Sequence, residues 1–210
     1  TMRLLMTHYH LDHLAGLPSF PLLYRRNWTL EVAAPLREKV KPEEVVRRLL
    51  AKPFWPVQLE KLRARLRFVT LSEDARGEAY EFGGLCVRWC PLCHPEGCHA
   101  YRIDEPATGA AFVFATDVEW AASTVAQQDA LLALCAEPTP ATWLAFDGQF
   151  TPSNYPRHRG WGHSTWADAV EVAHQTGVGR LLLTHHAPEN NDQKLDAIAR
   201  ALAAAHPNAQ

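Results

Sequence analysis

Three histidines and an aspartate crowd into Thr7-His8-Tyr9-His10-Leu11-Asp12-His13, directly after the short apolar run Arg3-Leu4-Leu5-Met6. Neutral imidazole and carboxylate are the donors that zinc, iron and manganese accept. A strand alternates its side chains, so this spacing predicts that His8 and His10 face one way. A tight turn then brings Asp12 and His13 round to the same place. Such a cluster is suited to holding a metal rather than to decorating a surface loop.

The run resembles the H-x-H-x-D-H signature of the metallo-β-lactamase superfamily, and the resemblance continues in order down the chain. It implies that His94, in His94-Pro95-Glu96-Gly97-Cys98-His99, is the third histidine ligand of a first metal. It implies that Asp117, closing Phe112-Val113-Phe114-Ala115-Thr116, bridges two metals, and that His185, closing Leu181-Leu182-Leu183-Thr184, is the last ligand. By that mapping His8, His10 and His94 hold one ion, Asp12, His13 and His185 hold the other, and Asp117 touches both. His185 is preferred to His186 because Thr184-His185 matches the pattern and adjacent strand residues face opposite ways. The residues agree with the mapping: each candidate lies at or just beyond the end of an apolar run, where α/β folds place their sites. Seven nitrogen and oxygen donors exceed what one structural zinc needs. They suit two divalent ions, zinc first and manganese or iron otherwise, which at a separation of roughly 3.5–4 Å lower the pKa of a shared water and clamp both oxygens of an in-line displacement.

Asp147-Gly148-Gln149-Phe150 and Gly160-Trp161-Gly162-His163-Ser164-Thr165 resemble the branch that contains RNase Z and related phosphodiesterases. That resemblance implies that His163 assists at the scissile phosphate; Asp147 is suited to orient either His163 or a metal-bound water, and Asp12, Asp147 and His163 are the expected catalytic residues. His163 precedes a helix start, and a helix N-terminus favours phosphate. Arg157 and Arg159, flanking His158, form the dense basic cluster near these motifs, and Arg suits bidentate phosphate contact. The implied function is a binuclear metal-dependent hydrolase that uses a metal-bridging hydroxide on a cyclic nucleotide, a small phosphodiester or an RNA end. A thioester or lactone hydrolase on the same fold is the alternative, and a non-catalytic metal-binding assembly subunit is the alternative of another class.

The elements that must position these groups are readable in outline. Strands are expected at Arg3–Met6, at Trp28–Ala33 (stopped by Pro35), and at Leu66–Leu71, Leu85–Trp89, Tyr101–Ile103, Ala111–Ala115, Thr142–Phe146 and Arg180–Thr184. The Ala111–Ala115 run is apolar enough to predict burial on both faces. Helices are expected from Pro42 to Leu50 or Ala51, from a cap at Ser123 to Cys135, from a cap at Ser164 or Thr165 to Thr176 with Gly177 ending it, and from Asp192, as its own cap, to Ala204. The mixture predicts an α/β protein, an αββα sandwich in one domain over residues 1–210. In the family, strands normally precede the first motif, so the chain is expected to cover the later part of the fold, with a homodimer sealing the exposed flank.

Composition sets the remaining bounds. Of 210 residues, 47% are apolar and 21% charged, with a formal net charge of −2, so bulk electrostatics direct the chain neither to an anionic membrane nor to long nucleic acid. A small substrate is the expectation. No apolar run approaches the length of a membrane span. Five cysteines, an odd number without an export signal, predict free thiols in a reducing, cytoplasmic setting. Cys90-Pro91-Leu92-Cys93-His94 matches the haem-attachment spacing only formally. Cys90, Cys93, Cys98 and His99 could make a zinc site, but the adjacency of Cys98 and His99 strains tetrahedral geometry.

Overall fold

Three short strands running in parallel organise the first of two units into which the chain's contacts divide, Thr1–Glu73 and Asp74–Gln210. The computed structural model describes residues 1–36, 39–73 and 78–206. In the first unit β1 (Met2–Leu5), β2 (Thr29–Pro35) and β3 (Arg65–Leu71) form a sheet in the order β1-β2-β3. β2 is central and carries Leu30, Val32 and Ala34 into a core with Leu14, Leu23, Val46 and Leu50. Pro35 does not stop this strand but is its last residue, a position where proline's missing N–H costs little. One turn of helix, α1 (Leu11–Leu14), follows the histidine run. α2 (Pro42–Leu49) opens on proline and places Glu43 and Glu44 in its first turn, where the dipole favours them.

The second unit holds a six-stranded sheet in strict chain order. Its strands are β4 (Tyr80–Phe82), β5 (Leu85–Leu92), β6 (Cys98–Glu105), β7 (Ala110–Ala115), β8 (Trp143–Asp147) and β9 (Arg180–Thr184). β5 outruns the sequence expectation at its C-terminal end and β6 at both ends because hairpin pairing, Leu92 with Cys98 through Cys86 with Asp104, extends the ladder past the apolar runs. β7 is not buried on both faces. Ala111, Val113 and Ala115 are buried, while Phe112 and Phe114 on the other face are half-buried.

Three helices, α3 (Val125–Ala136), α4 (Trp166–Thr176) and α5 (Asp192–Ala205), supply Leu131, Leu134, Ala169, Val172, Ile198 and Leu202 to one core with the sheet. Thr124, rather than Ser123, caps α3, because Gln127 sits three residues on and completes a capping box. Thr165 caps α4 in the same way with Asp168, and Gly177 ends that helix in the left-handed conformation. Asn191, rather than Asp192, caps α5, accepting from the Lys194 N–H. Arg102 is fully buried under this layer. It donates to the carbonyls of Leu134, Cys135 and Thr139 and to Asp104, so its charge is met on every side.

Candidate metal centre

Strand direction decides where the second unit gathers its chemistry. β5 and β7 both run antiparallel to β6, and β7, β8 and β9 are mutually parallel, so four strands end at the same edge of the sheet. His94, Asp117, Asp147 and His185 each lie at or within two residues of one of those four C-terminal ends. Asp117 and His185 both have φ of 57°. A left-handed backbone at two non-glycine residues is a local cost that a functional arrangement commonly carries.

Asp117 is the hub. Its Oδ2 lies 3.7 Å from Nε2 of His94 and 3.4 Å from Nε2 of His185. Two ligands at about 2.05 Å from one tetrahedral ion stand roughly 3.3–3.4 Å apart. The separations therefore match donors converging on a cation better than hydrogen bonds between the rings and the carboxylate. Thr116 donates its hydroxyl to the other oxygen, Oδ1, at 2.9 Å, and so steers the carboxylate. Two trios, His94–Asp117–His163 and Asp147–His163–His185, bring their donor atoms within 4.8 Å of one another. Imidazole and carboxylate in this arrangement fit a divalent metal.

Orientation comes from a second ring of contacts. His94 Nδ1 is 2.8 Å from the Gly162 carbonyl, which can only accept, so the neutral ring keeps its Nε2 lone pair for the Asp117 side. The side-chain amide of Gln149 stands 3.1 Å from His185 Nδ1. His186 is exposed, while His185 is stacked on His163 at 4.7 Å.

His163 Nδ1 donates to Asp147 Oδ2 at 2.7 Å. Burial alone would lower the His163 pKa, but the Asp147 hydrogen bond and charge, joined by the charges of Asp117 and Glu119, raise it above the ordinary imidazole value. At the N-terminus of α4, Asp168, from the helix's own first turn, accepts the Thr165 N–H and hydroxyl. Arg157 and Arg159 are both exposed on the loop that ends at His163, the latter with its guanidinium 5.9 Å from the centre of the Tyr155 ring.

In the first unit the histidine run is not strand. β1 ends at Leu5, and His8 and His10 follow it in a loop that enters α1. Their ring centroids are 4.6 Å apart, His8 and His13 are 4.5 Å apart, and Asp12 lies 3.3 Å from His13 Nε2. His8 is buried, while the Asp12 side chain is 71% exposed. The expected clustering of these four groups by the turn is therefore present, although the alternation of a strand is not its cause.

Glu119 escapes a reading of the sequence. Its buried carboxylate accepts from the N–H groups of Gly160 and Gly162 and from the Tyr155 hydroxyl. Burial would raise its pKa, but Gly160, Tyr155 and Gly162 together hold it below the usual carboxylate value. None of the five cysteines is in a disulfide, and among the described residues no group able to hold a metal includes one of them. Cys90, Cys98 and Cys135 belong instead to the core of the second unit.

A family model described as the beta-lactamase superfamily domain matches residues 3–186. The chain belongs to this superfamily and is by class a metal-dependent hydrolase. It is similar to ribonuclease BN of Cronobacter sakazakii, with 26% identity across 87% of this chain and 70% of that protein. Among solved structures it resembles the short form of human tRNase Z, with a TM-score of 0.69 and 20% identity over 89% of this chain and 72% of that one. It also resembles unliganded yeast PDE1, with a TM-score of 0.73 and 16% identity over 99% of this chain and 64% of that one. No helix among the described residues is long and apolar enough to cross a membrane.

Proposed function

We propose that the chain is a binuclear phosphodiesterase acting on a small phosphodiester, a cyclic nucleotide or an RNA end. His8, His10 and His94 would hold one divalent ion and Asp12, His13 and His185 a second, with Asp117 available to both. Zinc is the expected metal, since imidazole and carboxylate donors suit it. When bound, such a pair lowers the pKa of water and neutralises charge at phosphorus.

The observation that carries the reading is the hydrogen-bonded Asp147–His163 pair, set beside the His94–Asp117–His185 donors at one sheet edge. A scissile phosphodiester needs a proton at its leaving oxygen, and His163 is the group placed to hold one. Its Nδ1 is engaged by Asp147, so Nε2 is the atom that donates. Asp147 fixes the ring and offsets the positive charge of its protonated form. Arg157 and Arg159 supply a cationic grip for the non-bridging oxygens. Five cysteines with no disulfide among them are in keeping with a reducing cytoplasmic setting.

The test is hydrolysis of bis(p-nitrophenyl) phosphate and of a 2′,3′-cyclic nucleotide by the zinc-loaded chain, beside Asp117→Ala. Turnover by the wild type that Asp117→Ala abolishes is the expected result. Turnover of a thioester or lactone with neither phosphodiester touched would replace this reading.

A further inference from the structure

The loop from Tyr155 to His163 carries no regular hydrogen-bond ladder, apart from one 3-10 turn at Tyr155–Arg157, and yet it has to set two groups of the site at once. One is His163 itself. The other is the Gly162 carbonyl, which receives His94 Nδ1 at 2.8 Å. What holds that loop is Glu119. One oxygen accepts the Tyr155 hydroxyl at 2.7 Å and the Gly160 N–H at 2.8 Å, and the other accepts the Gly162 N–H at 2.8 Å. The Glu119 backbone N–H in turn donates to the carbonyl of Cys93, the residue before His94, at 2.8 Å. Glu119 therefore ties the β5–β6 turn that bears His94 to the loop whose carbonyl sets the His94 ring.

Space enforces the same contact. Gly162 has φ of +86°, and a Cβ there would come within 2.3 Å of His94 Nδ1 and of the Pro95 ring. The His94 imidazole lies against the Gly162 backbone with no room for a side chain between them.

We propose that Glu119 is a positioning residue for His94: by fixing Gly162 it holds the His94 ring as the Nδ1–H tautomer, with the Nε2 lone pair toward Asp117. A histidine free to exchange tautomers would present a lone pair at Nε2 only part of the time and in no fixed direction. Outer partners of ligand histidines typically change metal affinity about 10–100-fold when removed. The affinity arm of the test rests on the reading of His94 as a metal ligand, whereas the tautomer arm does not.

The experiment compares wild type, Glu119→Ala, Glu119→Gln and Gly162→Ala as full chains. Long-range ¹H–¹⁵N correlation spectra read the His94 tautomer in metal-free protein, and competition with a chelator reads zinc affinity. Wild type should show a single Nδ1–H tautomer at His94. Glu119→Ala should show mixed tautomers and a zinc affinity lower by about 10–100-fold. Glu119→Gln keeps the shape and one acceptor oxygen but turns an NH₂ toward an N–H donor, so it should fall between the two. Gly162→Ala, which displaces the ring directly, should give mixed tautomers as well. If Glu119→Ala does not fold, Glu119→Gln decides. A folded Glu119 variant with an unchanged His94 tautomer and wild-type zinc affinity overturns the proposal. Absence of zinc binding in the wild type would overturn the metal reading instead, and the tautomer comparison would still decide the role of Glu119.

Discussion

Asp147 Oδ2 accepts a 2.7 Å hydrogen bond from Nδ1 of His163, and the carboxylate is locked by three backbone donors, Val118, Gln149 and Ser164 N–H, at 3.0–3.3 Å. Asp147 is fully buried, so this bond is shielded from water and the ring it orients cannot swing without breaking a network. His163→Ala should therefore lower kcat on a phosphodiester by about 10²–10⁴-fold, the usual contribution of a positioned proton donor, while leaving zinc content unchanged. Asp147→Asn should lower kcat too, because an amide can hold the ring without offsetting its charge. Steady-state kinetics with metal analysis on the same samples checks both.

Asp117 lies 3.4 Å from one imidazole nitrogen and 3.7 Å from another. A bridging role predicts that Asp117→Ala loses at least one of two bound zinc ions per chain and with it measurable turnover. Elemental analysis after desalting gives the count. Two ions retained in the variant would remove the bridge from the mechanism. Chelation of the wild type should abolish activity, and added zinc should restore it.

Arg157 and Arg159 stand in solvent on the loop leading to His163. If they grip the non-bridging phosphate oxygens, the double alanine variant should raise KM about tenfold at low salt with little change in kcat, and the difference should shrink as ionic strength rises. Initial rates across a salt series measure this. A kcat loss with unchanged KM would assign them a different role.

Cys135 is buried, and that burial pushes its thiol from 9.0 up to about 12. An unfolded chain releases this proton near the ordinary value while the folded chain keeps it, so the unfolded state binds fewer protons between those limits. The contribution of Cys135 to stability is thus complete below about pH 9 and falls as pH rises toward 12. Urea midpoints measured from pH 8 to 10 should decline more steeply for wild type than for Cys135→Ala. Cys90, whose thiol burial also raises, should resist alkylation at pH 8 together with Cys135.

Arg102 is the largest fully buried side chain among the described residues, and it satisfies three carbonyls and Asp104. Arg102→Met should cost roughly 3–5 kcal/mol, since it leaves those acceptors buried without their donor. Equilibrium urea unfolding at neutral pH provides the measurement. A loss below about 1 kcal/mol would mean that the carbonyls find other partners.

Much of the site is local in the chain and so was legible there. His8, His10, Asp12 and His13 lie within six residues, and no fold is needed to bring them together. The residues at 94, 117, 147 and 185 were readable through the resemblance to the family's motifs, with which their places at or just beyond the ends of apolar runs agree. The half-buried face of Ala111–Ala115 was not readable, because composition cannot say which face meets a helix. The caps at Thr124 and Asn191 needed the reach of a particular side chain, which neighbouring Ser123 and Asp192 imitate in sequence.

By itself, then, the sequence determined the donor types, the strands that carry them and the family to which the chain belongs. Tertiary structure alone decided which polar groups support those donors. Glu119 meets Tyr155, Gly160 and Gly162 across separations of 36, 41 and 43 residues, and Asp147 meets His163 across 16. Strand periodicity and helix caps are imprinted within a few residues, because backbone geometry repeats over that distance. A hydrogen bond between two loops leaves no such imprint, since it depends only on which strand ends the sheet order sets side by side.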